Sequence, residues 1–160
     1  MSEPHAAAPD HAEVRILPPL LLLGSILLGV ALHWLWPLGF EAGGGRRVLV
    51  GLALLAAGIG AGAWTIVWMR RTKQDPDPRK PTPELILGGP FRYSRNPIYV
   101  GMALVQTGVG IALGNAWVLL LLPPTLLVLA RGVIEKEEAY LARKFGAAYV
   151  DYRARVRRWI

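Results

Sequence analysis

The chain has 160 residues, 53% of them hydrophobic and 18% charged, with a mean hydropathy of +0.36. That length suits one domain, and so apolar a composition excludes an ordinary soluble domain in favour of a membrane class. The net charge of +7 lies outside the apolar runs, which points to anionic lipid headgroups rather than nucleic acid, and the absence of cysteine removes disulfides, thiolate metal sites and a cysteine nucleophile.

Residues 1–15 are polar, with Pro4, Pro9 and several alanines, and read as a disordered tail. His5 and His11 fall in that tail and His33 in an apolar run, so no histidine metal site or triad is expected. The first apolar run, 16–36, has the ~20 residues that a bilayer crossing needs. Pro18 and Pro19 open it, where missing amide donors do least harm, and Trp34 and Trp36 sit near its far end as interfacial anchors. A short loop with Gly43-Gly44-Gly45 leads to the second run, 48–69, whose Gly51, Gly58, Gly60 and Gly62 let a neighbouring helix approach closely.

A loop rich in proline and basic residues follows, carrying Arg70, Arg71, Lys73, Arg79, Lys80, Arg92 and Arg95. The third and fourth runs, 98–113 and 117–133, are short and separated by the turn signal Gly114-Asn115; Pro123-Pro124 predicts a kink in the fourth. From Ile134 the chain becomes charged, yet Leu141, Phe145, Tyr149, Tyr152 and Val156 recur at helical spacing, the pattern of an amphipathic helix that Gly146 bends or breaks. The expected architecture is therefore all-α and integral to the membrane: about four transmembrane helices and a C-terminal cytoplasmic amphipathic helix, in one domain over 16–160. The seven basic residues between positions 70 and 95 and the eight from Arg131 onward belong on the cytoplasmic side, against two in the loop 37–47. Four crossings then put both termini inside.

Three polar clusters share that face: Pro83 to Tyr93, Ser94 to Gly101, and Glu135 to Glu138. A helical hairpin returns its ends to one side, so Asn96 and Glu137, 41 positions apart, become neighbours. Asn96 suits a helix N-cap and Pro97 the first helical position, and an open helix N-terminus also presents amide donors to an anion. Tyr93 and Tyr99 sit at headgroup depth, where anchoring is the ordinary role. Glu137 lies on the apolar face with Leu141 and Phe145, and a carboxylate at a membrane boundary calls for a partner. That partner is either a ligand or a plain salt bridge to Arg92, Arg95 or Arg131.

The run Gly89 to Gly101 (Gly-Pro-Phe-Arg-Tyr-Ser-Arg-Asn-Pro-Ile-Tyr-Val-Gly) resembles the Arg-His-Pro-x-Tyr-x-Gly signature of the isoprenylcysteine carboxyl methyltransferases. Glu137-Glu138, Leu141, Phe145-Gly146, Tyr149 and Tyr152 resemble its second half, and both halves are shared with the wider group of phospholipid methyltransferase-like membrane enzymes. The resemblance implies an S-adenosylmethionine-dependent methyltransferase whose cofactor-binding part spans 83–160. It implies that Pro83, Glu84, Leu85, Ile86 and Phe91 line the cofactor, that Asn96, Pro97, Ile98 and Tyr99 wrap it, and that Glu137 contacts it from the far side. No metal is implied. The acceptor is a lipophilic small molecule or lipidated substrate, with a phospholipid or small amine as the alternative, and the further partners expected are membrane lipids, not nucleic acid. Glu138 and Tyr99 are the candidates to remove a proton from an amine acceptor, and Arg131 to bind substrate. The substrate is expected to enter sideways from the bilayer between helices, since the second and third runs are glycine-rich. Asn96 stands where the signature has histidine, and Val133 where the family holds its prenylcysteine carboxylate with arginine, which weighs against that substrate.

Overall fold

The computed structural model describes residues 10–40 and 43–160, and its regular elements are helices. Helix α1 covers Pro18–Leu35 and α2 Gly45–Arg71; a 3-10 turn, Gly89–Arg92, precedes α3, Pro97–Leu113; α4 runs Ala116–Phe145 and α5 Ala147–Arg155. Helices α1, α2 and α4 are each long and apolar enough to cross a bilayer, whereas α3, at 17 residues, is a shorter apolar helix. Large hydrophobic side chains such as Leu23, Leu52 and Ile59 point outward, the inverse of a water-soluble core and the arrangement that hydrocarbon favours.

The helix limits have local causes. Two prolines open α1, and Pro97 occupies the first position of α3. Helix α3 ends at Gly114, whose φ of +63° closes the turn into α4. Asn115 caps α4 by accepting from the Val118 amide.

Helices α2 and α3 pack antiparallel, backbone on backbone. A methyl added at Gly51 would lie 2.4 Å from the Ala112 nitrogen, one at Gly58 2.6 Å from the Gly101 oxygen, and one at Gly108 2.6 Å from the Leu55 nitrogen. These glycines exclude lipid from the α2–α3 seam, so the sideways path between helices, expected because these two runs are glycine-rich, does not pass between this pair: contact this close leaves no space for a chain. Helix α1 joins through buried polar groups. The Gln106 amide donates to Ser25 Oγ at 2.9 Å and to the Val118 carbonyl at 3.0 Å, and Ser25 and Thr125 hydroxyls lie 2.7 Å apart.

Two further expectations change. The fourth run and the charged segment from Ile134 are one helix rather than two elements: α4 passes a turn at Leu121 ahead of Pro123 and continues through a π-helical turn, Ala130–Ile134, into Glu135–Phe145. Gly146, at φ +52°, ends it and starts α5. Residues 1–9 of the expected disordered tail lie outside the described residues, but its remainder is packed. Ala12 and Val14 are buried, Lys144 pairs with Asp10 at 2.5 Å, Tyr140 contacts Asp10 at 3.2 Å, and the Lys136 ammonium donates to the Glu13 carbonyl. Burying those two side chains ties residues 10–15 to the end of α4.

Candidate functional site

At the end of the bundle where α2 and α4 finish and α3 begins, a cavity of about 120 Å³ opens. The loop after α2 supplies Gln74, Thr82, Leu85 and Ile86; the 3-10 turn supplies Phe91; residues 95 and 96 lead into α3; Glu137, Glu138 and Leu141 come from α4, and Tyr149 and Tyr152 from α5. Asn96 and Glu137 therefore wall one space, as the hairpin argument expects.

Each charged wall residue has a defined setting. Glu137 is half-buried and receives the Tyr99 hydroxyl on both carboxylate oxygens, at 3.1 and 3.2 Å. The salt bridges considered for it from sequence are not the ones formed. Arg92 and Arg131 are exposed, and Arg95 pairs with the neighbouring Glu138 at 3.1 Å, both side chains about one-tenth exposed. Arg158 reaches the same carboxylate through two bonds, Nε at 3.1 Å and a terminal nitrogen at 2.7 Å, a bidentate geometry that raises the Arg158 pKa. Glu138 is thus a clamp for two guanidiniums. Arg95 keeps its Nε–H buried without a partner, and one terminal nitrogen donates to the Tyr149 hydroxyl at 3.4 Å. An orphaned donor in an apolar setting costs roughly 1–3 kcal/mol unless something accepts from it.

The tyrosines of α5 close one side. Tyr152 donates to the Phe91 carbonyl at 2.8 Å, holding the 3-10 turn against α5. Burial pushes both Tyr149 and Tyr152 phenols above their ordinary range, so they remain neutral donors. Tyr140 accepts from the Thr82 amide at 3.0 Å and Gln74 donates to the Glu84 carbonyl, which folds the proline-rich loop over the cavity. In that loop Arg79 holds Asp77 down at about 2 by hydrogen bonding.

Leu85, Ile86, Phe91, Asn96, Glu137 and Glu138 of the predicted set line the cavity. The others do not. Pro83 and Glu84 are exposed on the loop, Pro97 is buried in the first turn of α3, and Ile98 packs against the core. Tyr99 acts from behind Glu137, and Arg131 is exposed on the π-helical turn. Asn96 occupies the N-cap position but does not cap; its amide donates to the Arg158 carbonyl at 2.9 Å, while its own backbone N–H donates to Ser94 Oγ. Sequence reasoning did not assign Arg95, Arg158, Gln74, Tyr149 or Tyr152 to the site. The tyrosines carried a signal, their three-residue spacing past Gly146; Arg158 carried none, since its place depends on residues 156–160 folding back onto the start of α3.

Among the described residues no group of three or more His, Asp or Glu could hold a metal ion. The cavity instead combines the carboxylates of Glu137 and Glu138 and the Arg95 guanidinium with apolar and aromatic walls. The family model described as phospholipid methyltransferase matches residues 46–148, more than half of the chain, from the start of α2 into α5. No curated protein and no solved structure matches it at a significant level.

Proposed function

The chain belongs to the phospholipid methyltransferase family, and from that premise we propose that it is a membrane methyltransferase that uses S-adenosylmethionine on a lipophilic acceptor, an aminophospholipid headgroup ahead of a prenylcysteine carboxylate. The observation that carries the reading is that Glu137 and the Arg95 side chain line one cavity together with Leu85, Ile86 and Phe91. The amino-acid portion of the cofactor bears a carboxylate, an ammonium and a sulfonium, and this donor set complements them. Leu85, Ile86 and Phe91 suit the adenosyl part.

Bound S-adenosylmethionine supplies an electrophilic methyl group on a leaving group that needs no protonation. The protein's residues position and desolvate. Glu137, oriented by Tyr99, attracts the cationic end; Arg95, held by Glu138, which Arg158 anchors, takes the carboxylate; the loop 72–88 and α5 keep water out. An amine acceptor must also lose a proton. Glu138 is engaged by two guanidiniums, which leaves the Glu137–Tyr99 pair as the proton-accepting unit.

Two observations support an amine over a prenylcysteine carboxylate. Val133 is fully buried and carries no charge where the resemblance puts the substrate arginine, and Arg131 stands outside the cavity. The basic segments that frame the site support a cytoplasmic position for it and four crossings in all, with α3 as the short one.

Calorimetric titration of the detergent-purified protein with S-adenosylmethionine tests the reading. Glu137→Gln is expected to weaken binding at least about tenfold, ~1.4 kcal/mol. Unchanged affinity removes Glu137 from the site, and a wild-type protein that binds no cofactor sinks the enzyme reading in favour of a module that only binds lipids. Labelled methyl offered with lipid extracts then identifies the acceptor by the fraction that gains label.

A further inference from the structure

A second hollow, a groove of about 590 Å³, lies between α3 and α4 and is lined also by Trp159 and Ile160 of the C-terminal residues. Val100, Ala103 and Leu104 form one wall and Leu126, Leu127 and Ala130 the other. The spacing on each helix is three or four residues, so each wall is one continuous stripe. The hollow has a local cause: Ala103 and Ala130 present single methyl groups, and Pro123 forces the turn at Leu121. Towards the far end the helices close up, since a methyl at Gly110 would lie 2.5 Å from Leu119. Trp159 lies across the groove at its site end.

The strap formed by residues 156–160 lines the groove and bonds to residues that line the cavity. Its Arg158 carbonyl accepts from Asn96 and from Ser94 Oγ, its Arg157 carbonyl accepts from the Arg95 amide, and its Arg158 guanidinium grips Glu138. Asn96 and Glu138 line the cavity, while the next residue, Trp159, lines the groove. The strap thus ties the wall of the charged cavity to the wall of the apolar groove.

We propose that this groove holds one acyl chain of the acceptor, a phosphate-bearing membrane lipid, so that its headgroup reaches the cavity over the strap. This rests on the methyltransferase reading and assigns its acceptor a place. The occupant follows from position and charge. The walls are hydrocarbon and belong to segments that lie among lipid tails, where a slot is filled by a tail. Two exposed arginines adjoin groove-lining residues in the chain, Arg131 one residue past Ala130 and Arg157 two before Trp159, and they suit a lipid phosphate. Arg131, expected from sequence to bind substrate, thereby meets the headgroup rather than the reacting group.

The test uses the full chain in nanodiscs with a phosphatidylethanolamine carrying a photoactivatable diazirine at mid-chain, adducts being mapped by mass spectrometry. Adducts are expected to concentrate on Val100, Leu104, Leu126, Leu127 and Trp159, and Ala103→Trp, which fills the groove, is expected to lower them about tenfold. Trp159→Ala, a change at the groove's edge, is expected to spread them toward the site end. Labelling distributed evenly over Leu23, Leu52 and Ile59, or groove labelling that survives Ala103→Trp, overturns the assignment. In activity, Ala103→Trp should raise KM for a long-chain acceptor and leave a short-chain analogue unaffected; an equal rise for both also counts against it. Cofactor calorimetry on the same samples separates the two failures. Lost cofactor binding with intact groove labelling falls on the methyltransferase reading, and diffuse labelling with intact cofactor binding falls on the groove.

Discussion

Against α2, helix α3 offers Gly101 and Gly108 and meets backbone on backbone; against α4 it offers Val100, Leu104 and Tyr99 and keeps side chains and a groove between the axes. The first face is rigid because glycine contact has no rotamers to rearrange, and close-packed atoms transmit displacement directly. The second face is where polar atoms and empty space collect. On the proposed reading, in which the site holds a cation beside a carboxylate and admits a lipid, both are needed: a fixed reference for Asn96 and Tyr99, and an opening on the other side. The same helix supplies each from residues one to four positions apart.

Gly58→Leu should separate the faces most forcefully. Its side chain has no space beside Gly101, so overpacking is expected to cost about 1–3 kcal/mol or more and to shift the start of α3. Thermal unfolding in detergent and cofactor titration should fall together; a wild-type midpoint would mean that the glycine seam is not what positions α3. Glu138→Ala comes next. It leaves Arg95 in an apolar wall with neither its ion pair nor an acceptor for Nε, a loss on the order of 3 kcal/mol for a buried pair. Cofactor affinity is expected to drop more than tenfold, while hydrogen exchange in the middle of α3 stays slow. If exchange there accelerates as well, the two faces are not independent.

Tyr99→Phe removes only the hydroxyl that orients Glu137, about 1 kcal/mol, and should weaken cofactor binding roughly fivefold with no change in unfolding midpoint. Gln106→Leu should do least. It deletes two donor bonds at mid-helix but also removes a buried carbonyl oxygen that has no partner, so a change of about 0.6 kcal/mol or less is expected in thermal unfolding. A large loss there would make the Ser25–Gln106–Thr125 cluster, rather than the glycine seam, the main brace of the bundle.

Much of this molecule was legible in its sequence because local chemistry decides it. Leucine-rich runs, prolines at helix starts, Gly114 at a helix end and Gly146 at a break act through neighbouring atoms alone, and those four signals place α1, α3 and the α4–α5 junction. The convergence of Asn96 and Glu137 was also readable, since a hairpin returns its ends to one side whatever its side chains do. What only the tertiary structure decided are choices between equivalent partners. Nothing local tells Glu137 to take Tyr99 and Glu138 to take Arg95 and Arg158, or directs Ala12 onto the end of α4. The glycines show the same limit: composition announces close approach, but whether the seam is a door or a weld depends on which backbone lies opposite. Those outcomes come from groups far apart in the chain competing for the same space and the same few protons, and only the folded chain brings the competitors together.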